Sequence, residues 1–398
     1  MAQKTLRLNA LSVSIIPTVA AIIVLMTYLT APVRLSAQPS NARSAVETIC
    51  PREAVRPRAD GFDGTGIILT AFDRRAMWVY DVDRGRRYPL PETAPCLGNC
   101  RLSPDFRSIT YYNSLTQAFN VMHLDGSRRR FLVERAIDIE WWGLDRFFVW
   151  TPAHQAYAFT EGSETRQVFA VREIDSVQPN GEWGVRVTVN SAGDGFQRAL
   201  VNLSNPNRLI ALGVDQAYFN ARAWSPDGRT LALVAPALEP DSGLQGAELY
   251  TLRPEDDPIA PTPLTDLRSM VGAVRINGLS VGDLRWSPDG RRIAFWVTPL
   301  TGADPETDIE SASIMIVDVA SGALRTYCAY RAPEVTPNPP HLVWSPDGAY
   351  LAFAANLDDE ASGNLLLALD TESGVLYTLS EGVAVVFGQP HVLAWGLK

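Results

Sequence analysis

Few side chains in this chain are suited to chemistry, and their spacing limits what they can do. There are four histidines, His123, His154, His341 and His391. Pro340-His341 and Pro390-His391 repeat one dipeptide. Brought together at a channel mouth with His154, these imidazoles would suit an acid–base pair or a metal. Parity works against the pair. His341 stands three residues before Trp344 and His391 four before Trp395. On alternating strands they point to opposite sides unless one strand bulges.

The remaining candidates narrow the reaction classes. Lysine occurs only as Lys4 and Lys398, so no core lysine serves as a Schiff-base amine or phosphate-loop cation. Gly278-Leu279-Ser280-Val281-Gly282 matches the nucleophile-elbow pattern, which works only on a strand-to-helix turn, and no helical pattern follows it. Four cysteines, Cys50, Cys96, Cys100 and Cys328, allow three pairings. The short Cys96–Cys100 loop is a candidate disulfide, and no second Cys/His pair with zinc spacing appears. No metal and no cofactor is expected.

Acidic residues are the other concentration. Glu239 and Asp241 lie in the stretch 235–247; Asp304, Glu306, Asp308 and Glu310 lie in 298–313; Asp358, Asp359 and Glu360 lie in 356–364. None of these stretches contains lysine or arginine. They read as an electronegative rim for a basic protein partner, or as solvated loops of an acidic protein.

A repeat positions these groups. Trp224-Ser-Pro-Asp227-Gly recurs as Trp286-Ser-Pro-Asp289-Gly and Trp344-Ser-Pro-Asp347-Gly, each followed by an apolar run. Weaker copies sit at Leu102, Trp142 and Val177, and the chain ends on a truncated one at Trp395. The spacings are 40, 35, 47, 62, 58 and 51 residues, the period of a four-stranded propeller blade with insertions. Pro presets φ, Asp bonds nearby amides and Gly accepts positive φ, so the motif is a tight turn. Its tryptophans and aspartates are read as structural, the tryptophans packing between blades. The expected fold is all-β: a seven-bladed β-propeller over 61–398. The run Val385–Trp395 is expected to complete the first blade beside Gly66–Phe72, because an open ring would leave sheet edges exposed.

In this signature the chain resembles the TolB-like propeller family, whose WD40-like repeats carry Trp-Ser-Pro-Asp-Gly. The resemblance covers about 61–398 and implies architecture rather than activity. TolB adds an N-terminal α/β domain where this chain has a short segment. Oligogalacturonate-lyase-like propellers share the signature and hold a metal with channel histidines. That resemblance keeps open an enzyme acting on an extracellular polymer or peptide, with His154, His341 and His391 at the channel mouth.

The N-terminus sets the compartment. Lys4 and Arg7 precede an uncharged run, Leu8–Val33. As a helix it would span about 39 Å, enough for ~30 Å of hydrocarbon. Residues 1–37 are read as an uncleaved signal anchor, with cleavage after Leu35-Ser36-Ala37 as the alternative, and 38–60 as a linker. The propeller would then be single-pass membrane-tethered on the extracytoplasmic side, or secreted or periplasmic after cleavage. The chain carries −9, and residues beyond 37 hold 32 basic against 44 acidic side chains. That balance argues against nucleic acid, and for membrane contact through the N-terminal helix only. The expected function is a non-catalytic, monomeric binding or scaffold propeller acting through its long loops.

Overall fold

The computed structural model describes residues 45–398, apart from 72–75, 92, 94–99, 114, 154, 190–192, 194, 216–220, 237–245, 278–283, 301–310, 333–339, 358–363, 384, 387–388 and 391. Seven antiparallel sheets follow one another along the chain. Blade 1 contains Ile67–Thr70, Met77–Asp81 and Arg86–Leu90; blade 2 runs from Arg101–Leu102 to Arg130–Glu134. Blades 3, 4 and 5 begin at Asp138–Trp141, Ile174–Val177 and Arg222–Trp224. Blades 6 and 7 take Arg285–Trp286 and Val343–Trp344 as innermost strands. The last strand, Val392–Gly396, pairs antiparallel with Ile67–Thr70, with Ile68 opposite Trp395. It supplies the innermost strand of blade 1 and closes the ring. Among the described residues no helix is long and apolar enough to cross a membrane, and the segment read as an anchor lies outside them.

The motif fixes each inner turn by local hydrogen bonds. Ser225, Ser287 and Ser345 donate to the Asp two residues on, at 2.5–2.6 Å. The same hydroxyls accept from the amide five residues on, opening the second strand. Gly228, Gly290 and Gly348 stand at φ +72°, +69° and +73°, where a side chain would be strained. Blade 2 keeps the turn with Phe106 at that position, at φ 61°.

The tryptophans join blades. Trp286 Nε1 donates to Ala223 O and Trp344 Nε1 to Arg285 O, each the carbonyl just before the motif position of the preceding blade. Trp141 Nε1 makes the equivalent bond to Arg101 O at 2.8 Å. Trp141, paired with Phe147, is therefore the motif residue of blade 3, one position before Trp142. The sequence placed it at Trp142 because the turn there is one residue shorter. Trp224 Nε1 is buried without an acceptor, and the preceding blade's inner strand shifts register between Ile174 and Ser176, where that acceptor would stand.

Of the segment 38–60 read as a linker, residues 47–57 add strands to the ring. Glu47–Ile49 pairs parallel with Leu324–Ala332, the outer strand of blade 6, and Val55–Pro57 pairs parallel with Leu376–Val383 of blade 7. Cys50, between these strands, is disulfide-bonded to Cys328, with Cα atoms 5.0 Å apart. Proline, arginine and alanine composition suggested coil. The free outer edges of two blades supply the ladder partners that composition does not reveal.

Candidate functional site

The antiparallel order gives the ring two unlike ends. Each inner strand runs toward its motif turn, so motif turns and the turns between third and fourth strands share one end. Connections between second and third strands, and between blades, emerge at the other. There the breaks between Pro236 and Ala247, Pro299 and Ala312, and Ala355 and Asn364 fall at one end of blades 5, 6 and 7. All nine loop carboxylates, from Glu239 to Glu360, lie in these breaks and outside the described residues. His154, His391 and Cys96 lie outside them too, while Cys100 is disulfide-bonded.

His341 is described. Trp296, fully buried in blade 6, donates Nε1–H to Pro340 O at 2.7 Å and so fixes the entry to the inner strand of blade 7. His341 Nδ1 lies 3.0 Å from Arg285 Nη2 of blade 6. A guanidinium only donates, so Nδ1 accepts. Similar contacts recur between inner strands. Arg101 Nη2 meets Asp138 Oδ2 at 3.1 Å between blades 2 and 3, and Arg222 Nε meets Asp175 Oδ2 at 2.9 Å between blades 5 and 4. At this position His341 stitches blades together. Among the described residues no group of three or more His, Cys, Asp or Glu is arranged to hold a metal ion. The closing strand does bulge: Leu69 pairs with Ala394 but Thr70 with Val392. Spacing from Trp395 therefore does not fix the side taken by His391.

The Gly278–Gly282 motif interrupts a strand. Val274–Ile276 and Arg285–Trp286, on either side of it, both pair with Arg292–Pro299. The motif itself lies outside the described residues, between two strands at the inner edge of blade 6.

Two features at the long-loop end escaped the sequence reading. Leu115, Ile137, Val189 and Phe196 stand exposed there on blades 2 to 4. Their signal is a large apolar residue at a hairpin tip, or for Ile137 in the link between blades 2 and 3. The second is Glu248, only 5% exposed on the third strand of blade 5. Its carboxylate accepts from Thr265 Oγ1, Leu267 N and Arg268 N at 2.6–2.9 Å. It thereby caps a short helix, Leu267–Val271, whose own N-cap Asp266 makes no side-chain cap. Burial pushes its pKa up, against these hydrogen bonds.

Glu248→Ala should cost about 1–3 kcal/mol, because it strands buried donors, and should lower the melting temperature. Glu248→Gln removes the titration and keeps one acceptor oxygen. A raised folded-state pKa contributes stability at low pH that is lost as pH rises through it. The wild type should gain on the Gln variant as pH falls from neutrality through that raised pKa. Parallel melting curves against pH would show that Glu248 is not the titrating group.

These seven sheets, closed by the last strand, define a seven-bladed β-propeller. No family model matches the chain, and no curated protein does. Solved structures with a similar fold include hydrazine synthase from Kuenenia stuttgartiensis, 11% identical, TM-score 0.48, covering 85% of this chain and 99% of that one. AztD from Citrobacter koseri is 13% identical, TM-score 0.46, over 82% and 97%. A structure described as TolB from Agrobacterium tumefaciens is 15% identical, TM-score 0.38, over 81% and 90%. Likeness at this level concerns the fold alone.

Proposed function

We propose that the chain is a membrane-tethered, extracytoplasmic propeller of TolB-like type that binds a protein partner at its long-loop end, without catalysis. The inequality of the two ends carries this reading. The motif end is built from short, internally bonded turns. The other end has the long connections, and loops of this kind usually carry binding. Nine carboxylates without a basic residue in three of those connections favour a basic partner surface. Exposed charges act over ~8 Å at physiological salt, so they set the on-rate more than the affinity. The Cys50–Cys328 disulfide supports an oxidising compartment, where such bonds persist.

The test is kinetic. A partner captured on the full-length membrane protein should associate more slowly, by about tenfold at low salt, once Asp304, Glu306, Asp308 and Glu310 become Asn or Gln. The salt dependence of association should flatten. Unchanged association at low salt would place the partner elsewhere.

A further inference from the structure

The two short strands that the N-terminal segment adds to the ring are fastened unequally. Glu47–Ile49 pairs with the outer strand of blade 6 over three positions, with Glu47 opposite Arg325 and Ile49 opposite Tyr327. No residue from Ala45 to Glu53 is buried. Val46 and Ile49 reach the core only as partly buried side chains. The ion pair from Arg325 Nε to Glu47 Oε2, at 2.9 Å, leaves 44% and 61% of the two side chains exposed. Exposed pairs of this kind contribute little.

The next residues are rooted firmly. Leu376 N donates to Ala54 O at 2.8 Å and Arg58 N to Thr378 O at 3.1 Å, on blade 7. Arg58 Nη2 donates to Val82 O at 2.7 Å and to Asp83 O at 3.1 Å, on blade 1. Phe62 lies against Tyr350 and Tyr377, with ring centroids 4.9 and 5.3 Å away. The Tyr350 hydroxyl donates to Asp63. Residues 54–63 are thus a root between blades 7 and 1, and 45–53 form a lightly held tip on blade 6.

The covalent bond sits on the tip. Cys50 directly follows Ile49, Cys328 directly follows Tyr327, and both cysteines are exposed. Access to the sulfurs is one of the conditions for thiol–disulfide exchange. A short ladder with exposed hydrogen bonds belongs to the low-stability end of a fold, so the tip depends on the bond more than the root does.

We propose that residues 45–53 are a redox-released strap over the outer edge of blade 6. The reductant is an external dithiol. One of its thiolates attacks the Cys50–Cys328 bond, one cysteine leaves as a thiolate, and the second thiolate of the dithiol resolves the mixed disulfide. The dithiol becomes a disulfide, and Cys50 and Cys328 together gain two electrons and two protons. The strap then lifts from Arg325–Tyr327 and leaves an unpaired edge, the kind of surface to which another chain can add a strand. The root keeps Cys50 within a few residues of its partner, so reoxidation restores the cover.

Hydrogen exchange on the full-length chain tests this, with the protein oxidised, reduced by dithiothreitol, and reoxidised. Reduction should speed exchange several-fold at residues 47–50 and at the strap-facing amides of 325–328. Residues 376–383 of blade 7 should change far less, and 166–172 of blade 3 not at all. Reoxidation should return the first pattern. A Cys50→Ser, Cys328→Ser variant should show the open pattern with or without dithiothreitol, which separates this bond from the disulfide at Cys100. Unchanged exchange at 47–50 after complete reduction overturns the proposal. So does equal loss of protection in blades 3, 6 and 7, which would mean that reduction loosens the whole ring.

Discussion

A chain ending at Gly388 should lose its cooperative melt. The missing residues include Val392, Ala394 and Trp395, each at most 1% exposed, and the whole inner strand of blade 1. Trp395 also donates Nε1–H to Thr65 O at 2.8 Å. Loss of a core Trp alone costs ~3–5 kcal/mol, against a typical domain stability of about 5–15 kcal/mol. The truncation adds the unpaired edge of Ile67–Thr70, so its cost should exceed that of Trp395→Ala. Calorimetry should show a transition that is broad or absent for the truncated chain, and lowered but single for Trp395→Ala. A truncated chain that melts unchanged would mean the ring does not need its last strand.

Cys50→Ala with Cys328→Ala is the second large effect. The bond joins residues 278 apart in sequence. Removing a native disulfide commonly costs about 2–5 kcal/mol, more for long loops in the chain-entropy view. Here it also holds two parallel ladders of only three residues each. The double variant should melt lower, and trypsin should cut faster at Arg52 and Arg58. If the cleavage rate does not change, the two ladders suffice without the covalent link.

How far the sequence revealed this protein depended on repetition. Three full Trp-Ser-Pro-Asp-Gly copies announced the blades, because each turn is stabilised by residues within five positions of one another. The closing strand was legible from what the chain ends lacked: three strands at the start and one at the finish. Blade 3 was misplaced by one residue because adjacent tryptophans, Trp141 and Trp142, fit the pattern equally well until pairing with Phe147 decides. The strands at 47–57 were invisible because their partners lie some 278 to 321 positions away and nothing local records them. For the site, composition marked the acidic loops. Glu248 was missed because it is a buried carboxylate whose meaning comes from a helix end 19 positions on.

The clasp between Cys50 and Cys328 also decides how the molecule bears load. Any pull applied through the chain ahead of Glu47 meets a three-residue ladder and then a covalent bond into blade 6. The force passes from there into the interior sheets of that blade, whose second and third strands are paired over six positions. It does not reach the seam at blade 1, where Val392–Gly396 pairs with Ile67–Thr70 to close the ring. With the bond intact, the closing seam of the ring is mechanically isolated from its N-terminus. With the bond reduced, tension would run through Val55–Pro57 and on to Ile67–Thr70, peeling the strand on which closure depends.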